Sequence, residues 1–322
     1  MSGAPAVVLT GGAGYIGSHV ALALLDRGHE VWVIDDLSGG PGAPLPSAIH
    51  FTRGDILEPG ALARLVAASG ARGILHFAGR IAVGESMARP ELHYRINVGG
   101  MIAVAEAAAQ ARLPVLFSSS AAVYGAPLVC PIPVTHPCRP ESPYGTSKWM
   151  SEQILADCSR AHGFPFAALR YFNAAGARPG SGLGERHTPE THLIPLAIDA
   201  ARAGTPLSIF GDDWPTDDGT AVRDYVHVVD HADAHVRALH HLLGGRGDLT
   251  VNLGAGEGVS VRQVLAAVER ALGRQVPHRV VPRRSGDVAR LVADVRLAEQ
   301  LLGWRPERSG IDRLVADAVA AR

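Results

Sequence analysis

Residues 6–17 read Ala6-Val7-Val8-Leu9-Thr10-Gly11-Gly12-Ala13-Gly14-Tyr15-Ile16-Gly17. The first five are a short continuous apolar run that ends in a glycine cluster, and Ile16 to Arg27 carry helical periodicity, so the stretch predicts strand, loop, helix. Glycines at such a junction make the tight turn, let a pyrophosphate approach the backbone and let helix pack on strand, with the helix N-terminus facing the anion. A second apolar run, Val31-Trp32-Val33-Ile34, closes on Asp35, 18 positions after Gly17. A carboxylate there accepts both ribose hydroxyls and repels a 2'-phosphate, which favours NAD over NADP.

Outward from this unit the pattern repeats. After a Gly/Pro loop from Ser38 to Pro46, short strands are predicted at Ile49–Phe51, Gly73–Phe77, Pro114–Phe117 and Phe166–Leu169. Helices are predicted over Gly60–Ser69, Glu91–Ala111 and Pro143–His162. Strands alternating with helices mean right-handed crossovers and a parallel sheet covered on both faces. The fold class is therefore α/β, a doubly wound, Rossmann-type sheet. From Gly176 onward Gly and Pro become frequent and the alternation stops. This predicts a cofactor domain over residues 1–175 and a second, smaller α/β substrate domain over 176–322, closed by a helical tail from Asp294 to Arg322.

Composition narrows the class of function. The chain has 322 residues, 47% apolar, with 30 basic side chains against 31 acidic ones. Near-neutral charge gives no reason to expect a nucleic-acid or membrane partner. Cys130, Cys138 and Cys158 cannot all pair and show no Cys-x-x-Cys spacing, which suits a reducing compartment. The sequence shows no basic-apolar leader at Met1–Pro5 and no apolar run of membrane-spanning length, so a cytoplasmic protein is expected.

One lysine stands among 29 arginines: Lys148, in Ser142-Pro143-Tyr144-Gly145-Thr146-Ser147-Lys148. Arginine is a wide planar fork that stays protonated, whereas lysine is a compact ammonium able to enter a tight pocket beside a phenol. Positions i and i+4 share a helix face, so Tyr144 and Lys148 point the same way. An ammonium beside a phenol favours the phenolate and makes tyrosine a usable base.

With Gly11-x-x-Gly14-x-x-Gly17 and Tyr144-x-x-x-Lys148 in one chain, the sequence resembles the extended short-chain dehydrogenase/reductase family. The match narrows through Phe77-Ala78-Gly79, Val83-Gly84-Glu85-Ser86, Ser118-Ser119-Ser120-Ala121, Arg170-Tyr171-Phe172-Asn173, Thr191-His192-Leu193-Ile194-Pro195, Ile209-Phe210-Gly211 and Gly219-Thr220-Ala221-Val222-Arg223-Asp224-Tyr225. Together these resemble the UDP-glucose 4-epimerase branch over nearly the whole chain. The resemblance implies an isomerase that oxidises a sugar at C4 through bound NAD and returns the hydride to the opposite face of a transient 4-keto sugar. In it Tyr144 is the base, Ser120 holds O4 and relays the proton, and Lys148 binds the nicotinamide ribose and lowers the tyrosine pKa.

The same resemblance implies the binding residues. Gly11, Gly14, Tyr15, Ile16, Gly17, Asp35, Asp36, Leu37, Asp55, Ile56, Phe77, Ala78, Gly79 and Phe172 join Tyr144 and Lys148 around NAD. Asn173, His192, Leu193, Ser208, Ile209, Phe210, Arg223, Arg284, Asp287 and Leu291 join Ser120 and Tyr144 around the UDP-sugar. Guanidinium forks suit the diphosphate. Relatives that eliminate water from the sugar carry an Asp-Glu pair where this chain has Ser120-Ala121, which leaves reversible C4 oxidation. Two departures bear on NAD affinity: Ile81 and Ile96 stand where close epimerases carry lysine and asparagine, with Arg80 as a compensating cation. Epimerases of UDP-N-acetylglucosamine, UDP-glucuronate or a deoxysugar remain alternatives, and retention of Ser120, Tyr144 and Lys148 disfavours a non-catalytic NAD-binding regulator. A homodimer is expected. His227, His231 and His235 recur every four residues, but no carboxylate or cysteine cluster accompanies them, so no metal is expected.

Overall fold

The computed structural model describes residues 4–284 and 286–322; Ser285 and residues 1–3 lie outside it. The chain begins with β1 (Ala4–Thr10), α1 (Tyr15–Asp26), β2 (His29–Asp35), β3 (His50–Arg53), α2 (Ala61–Ser69) and β4 (Ile74–His76). There follow α3 (Val83–Ala88), α4 (Pro90–His93), a π-helical turn at Tyr94–Val98, α5 (Gly99–Ala111), β5 (Val115–Ser120), α6 (Pro143–His162) and β6 (Phe166–Tyr171). The later elements are β7 (Asn173–Ala175), α7 (Leu193–Ala203), β8 (Leu207–Phe210), β9 (Val222–Arg223), β10 (Tyr225–His227), α8 (Val228–Leu243) and β11 (Leu249–Leu253). The chain closes with β12 (Val259–Ser260), α9 (Val261–Leu272), β13 (His278–Val281), β14 (Arg290–Leu291), α10 (Arg296–Leu302) and α11 (Ile311–Ala320).

The main sheet has seven strands in the order β11-β6-β5-β4-β1-β2-β3. From β3 to β6 neighbouring strands are parallel. The order reverses between β1 and β4, so a crevice opens at the carboxyl ends of those two strands, where doubly wound sheets take their ligands. Central strands are apolar on both faces because helices cover both: Val8, Ile34, Ile74 and Phe117 pack with Leu62, Met101, Val104 and Leu155 in one core cluster. The 20-residue α6 starts at Ser142, whose hydroxyl accepts the Gly145 amide at 3.1 Å, with Pro143 in the first turn.

The chain divides into two compact units that interleave in sequence. Residues 1–125, 137–171 and 232–251 form the first; residues 126–136, 172–231 and 252–322 form the second. The single change of domain expected near residue 175 therefore differs from the division seen. The physical reason lies in two long-range pairings. β11 returns to hydrogen-bond beside β6 at the sheet edge, and Ile132 is held by the Val292 carbonyl and by the Asn252 amide. The second unit has its own core, with Ile198, Ile209, Val264, Val268, Leu314 and Val315 in one cluster. Small sheets surround it: β12-β9-β14, β10-β7 and β13-β8. The tail is two helices instead of one, because Gly303 ends α10 in the left-handed region at φ 58°.

Candidate active site

The glycine loop follows β1 at the switch point. Gly11 has φ 69°, and a Cβ there would meet the Ala78 amide nitrogen at 2.4 Å. A Cβ on Gly17 would meet the Gly11 carbonyl oxygen at the same distance. These two glycines are required by close approach of backbone to backbone. Gly14 is exposed and caps α1 without a side-chain hydrogen bond, and the first turn holds no acid. The amides at this helix end therefore remain available to an anion. Asp35 fixes the loop, taking the Ala13 amide on Oδ2 at 3.0 Å and the Leu37 amide on Oδ1 at 2.9 Å. Burial pushes its carboxyl up and the two amides oppose that. Asp36 and Asp55 each accept an amide two residues on, from Ser38 and Leu57. Tyr15 and Ile56 are buried, whereas Ile16, Phe77 and Ala78 are half-buried. A glycine turn that no Cβ fits, an uncapped helix N-terminus and a carboxylate on the adjacent strand end together fit NAD.

Tyr144 and Lys148 share a face of α6 and meet the end of β5. The Tyr144 phenol lies near Ser120, close enough for the hydroxyl to favour the phenolate, and Ser120 Oγ accepts the Ala122 amide at 3.1 Å. Lys148 is 4% exposed and donates to the Ser118 carbonyl at 2.8 Å. Its Nζ sits 4.9 Å from the Phe117 ring centroid and 5.9 Å from that of Tyr144. Burial lowers the ammonium pKa to about 8, against the opposite pull of Glu152. Burial pushes the Tyr144 phenol above its ordinary range, and the Ser120 hydroxyl pulls it back. The Lys148 ammonium itself points at the Ser118 carbonyl.

Several residues that hold this geometry went unnoticed in the sequence. Glu152, two turns after Tyr144, pairs with Arg170 of β6 at 2.7 Å, both side chains 6% exposed, and accepts the Ser119 hydroxyl. Arg170 also donates to the Tyr124 hydroxyl at 3.0 Å. This network ties α6 to β5 and β6. Asn97, in the π-helical turn, accepts the Arg80 amide at 2.7 Å and donates to the Arg80 carbonyl and to Ser147 Oγ. It fixes the Gly79-Arg80 segment against α6, and Gly79 has no room for a Cβ beside it. Buried His93 stands edge-on to Tyr144, its ring centroid 6.4 Å away, and its Nε2 meets Glu85 at 3.2 Å. Ile81 is 43% exposed and Ile96 half-buried; Arg80 pairs with Glu85 at 3.5 Å.

The second unit brings its own predicted residues together in two groups. Arg223 of β9 lies opposite Leu291 of β14, donates to the Val222 and Val288 carbonyls, and has Asp287 3.8 Å away. Burial pulls its guanidinium down and Asp287 opposes. Arg284 lies over the Phe210 ring, 4.1 Å from its centroid. Along β8 the alternation turns Ser208 and Phe210 outward and buries Ile209 at 2% exposure in the core, so the Ile209 side chain is not presented to a ligand. Asn173 of β7 lies across from Tyr225 of β10, and Phe172, 6% exposed, also belongs to this unit. His192 caps α7 and turns its ring toward Glu185 and Glu190, at 2.7 and 3.3 Å, with Leu193 half-buried behind it. His227, His231 and His235 are buried separately; His227 faces Asp317 and His235 meets the Tyr171 hydroxyl.

Residues 7–254 match the NAD dependent epimerase/dehydratase family. The UDP-glucose 4-epimerase of Azospirillum brasilense is 45% identical over 98% of this chain and 91% of its own length. Among solved structures, UDP-glucose 4-epimerase from Brucella ovis in complex with NAD is 43% identical with a TM-score of 0.94, covering 98% of both chains. That from Bifidobacterium longum in complex with NAD+ and UDP is 36% identical with a TM-score of 0.90, covering 98% of this chain and 97% of the other. Matched by that family model over most of its length and by these relatives over nearly all of it, the chain belongs to the NAD dependent epimerase/dehydratase family and, within it, to the UDP-glucose 4-epimerases.

Proposed function

We propose that this protein interconverts UDP-glucose and UDP-galactose by reversible oxidation at C4 of the sugar. The observation that carries the reading is that Tyr144 and the buried only lysine, Lys148, share a face of α6 beside Ser120 at the end of β5. NAD, held by the Gly11–Gly17 turn, Asp35 and Lys148, supplies the hydride acceptor and donor when bound. Tyr144 takes the proton from the 4-hydroxyl as C4 is oxidised, with Ser120 holding O4 between them. After the 4-keto sugar turns over, Tyr144 returns that proton to O4, so protons and electrons balance and no net redox change occurs. Ser120-Ala121 supplies no acid-base pair for elimination, which supports retention of every sugar oxygen. Asn173, Leu193, Phe210, Arg223, Arg284 and Asp287 take the nucleotide diphosphate, the guanidinium forks meeting its phosphate oxygens.

The three cysteines are free thiols, and among the described residues no helix is long and apolar enough to cross a membrane; both support a cytoplasmic protein. Exposed Val83 and Met87 on α3, Ile102 on α5 and Met150 on α6 support a homodimer formed through that side of the first unit. Incubation of the purified protein with UDP-galactose, followed by chromatographic separation of the C4 epimers, tests the activity. Formation of UDP-glucose that ceases in Tyr144→Phe is expected. Absence of interconversion by the wild-type chain with NAD present would overturn the reading.

A further inference from the structure

Residues 176–192 form a long segment without helix or strand ahead of α7. Near its end the sequence Glu185-Arg186-His187-Thr188-Pro189-Glu190-Thr191-His192 brings two carboxylates and two imidazoles together. His192 Nδ1 lies 2.7 Å from Glu185 Oε1 and 3.3 Å from Glu190 Oε1. His187 Nδ1 lies 3.4 and 3.8 Å from the same two oxygens. One donor atom from each of the four residues falls within 4.8 Å of all the others. A tetrahedral zinc ion with bonds of about 2.0–2.1 Å has donor-to-donor edges of about 3.3 Å, and the four measured edges bracket that length.

Two further features separate this arrangement from a pair of simple ion pairs. Both imidazoles present the same nitrogen to the same two oxygens, with ring centroids 5.1 Å apart and planes tilted by 48°, so four donors face one point. The Glu190 side chain is 10% exposed, and its buried Oε2 has no hydrogen bond among the described residues; the Arg322 guanidinium stands 3.6 Å off. The outer contacts orient the ligands. Arg322 donates to the Glu185 carbonyl at 3.1 Å and to Asp199, and the Thr191 and His192 amides donate to Glu190 Oε1.

We propose that Glu185, His187, Glu190 and His192 bind one Zn²⁺ ion as a structural site that pins residues 185–192 to the start of α7. Two imidazoles and two carboxylates are a donor set suited to zinc, and four protein ligands leave no open position for substrate. With the imidazoles neutral, the two carboxylates cancel the charge of the ion, so the positive end of α7 meets a neutral group. The inference assigns His192, expected from the sequence at the UDP-sugar, to the ion instead, next to Leu193 of the proposed nucleotide site, and its test reads metal binding without reference to epimerisation.

The test uses untagged full-length protein, stripped with EDTA, reloaded with zinc sulfate and washed. About one zinc per chain by mass spectrometry is expected, with affinity measured by competition against a chromogenic chelator. His187→Gln and Glu190→Gln should each weaken zinc binding by about 100-fold or more, with circular dichroism reporting that they are folded. Cobalt loading should give the intense visible bands of a tetrahedral site. Zinc should raise the thermal midpoint of the wild-type chain and leave that of His187→Gln unmoved. A wild-type chain that takes up no zinc at micromolar free metal would overturn the proposal whatever the variants do. So would zinc that stays bound in both folded variants, or a weak six-coordinate cobalt spectrum.

Discussion

Replacing Lys148 by methionine should make the cofactor-free protein more stable at neutral pH and inactive at every pH. The ammonium is 4% exposed, and burial lowers its pKa from 10.5 to about 8. That depression corresponds to roughly 3 kcal/mol borne by the folded state while the side chain is charged. Methionine removes this cost. It also removes the hydrogen bond to the Ser118 carbonyl and the contact over the Phe117 ring, each worth about 1 kcal/mol. About 1 kcal/mol of net stabilisation remains at pH 7.

The pH dependence carries a definite sign. Below pH 8 both folded and unfolded chains hold the lysine proton, and the full cost is present. Between about 8 and 10.5 the unfolded chain keeps the proton and the folded one releases it, so wild-type stability rises by about 1.4 kcal/mol per pH unit. Methionine has no such gain, so the two chains should cross near pH 9 (~1 unit above the folded pKa), and the variant should be the weaker one at pH 10. Equilibrium urea denaturation of NAD-stripped protein at a series of pH values, read by tryptophan fluorescence, measures the difference directly. A variant less stable than wild type at pH 7, by an amount that does not change with pH, would refute the reasoning. A buried ammonium that costs stability and is nonetheless the chain's only lysine is what a site under functional constraint looks like.

Tyr144→Phe should lower epimer interconversion by about 10²-fold or more. Lys148→Arg should do the same while leaving the circular dichroism spectrum unchanged, because a fork replaces a compact ammonium. Glu152→Gln should destabilise the first unit by about 3–5 kcal/mol, because the 6%-exposed Arg170 guanidinium then has no counter-charge; an unchanged denaturation midpoint would show that the network is dispensable. Leu291 lies half-buried across from Arg223, and Leu291→Tyr should suppress turnover of UDP-N-acetylglucosamine selectively, by steric exclusion of about 1–3 kcal/mol. Equal loss for the plain hexoses would mean that Leu291 only supports the fold.

The first unit was legible because its information is local. An apolar run ending in Gly11 and a helix starting at Tyr15 predict β1 and α1 from adjacent residues. The i, i+4 spacing likewise put Tyr144 and Lys148 on one face before any contact was seen. What the sequence concealed depends on distant partners. Glu152 reads as one more polar residue of an amphipathic helix until Arg170, 18 positions on, arrives beside it through a neighbouring strand. Asn97 lies 50 positions from Ser147. The return of residues 232–251 to the first unit needs β11 to choose the β6 edge, a choice made by sheet pairing and not by local propensity.

The histidines show the same rule from the other side. His227, His231 and His235 attracted a metal reading through their regular spacing, yet His227 ends β10 and faces Asp317, while His235 turns to Tyr171. The irregular Glu185-x-His187-x-x-Glu190-x-His192 has no such period, and it converges because a coiled loop can fold its side chains toward one point where a helix must spread them along a face. Periodicity therefore locates side chains that share a surface, and it is uninformative where ligands must surround a centre. For this chain Tyr144 and Lys148 need only share a surface, so their spacing betrays them. The proposed zinc ligands must enclose an ion, so only the geometry of the folded loop can.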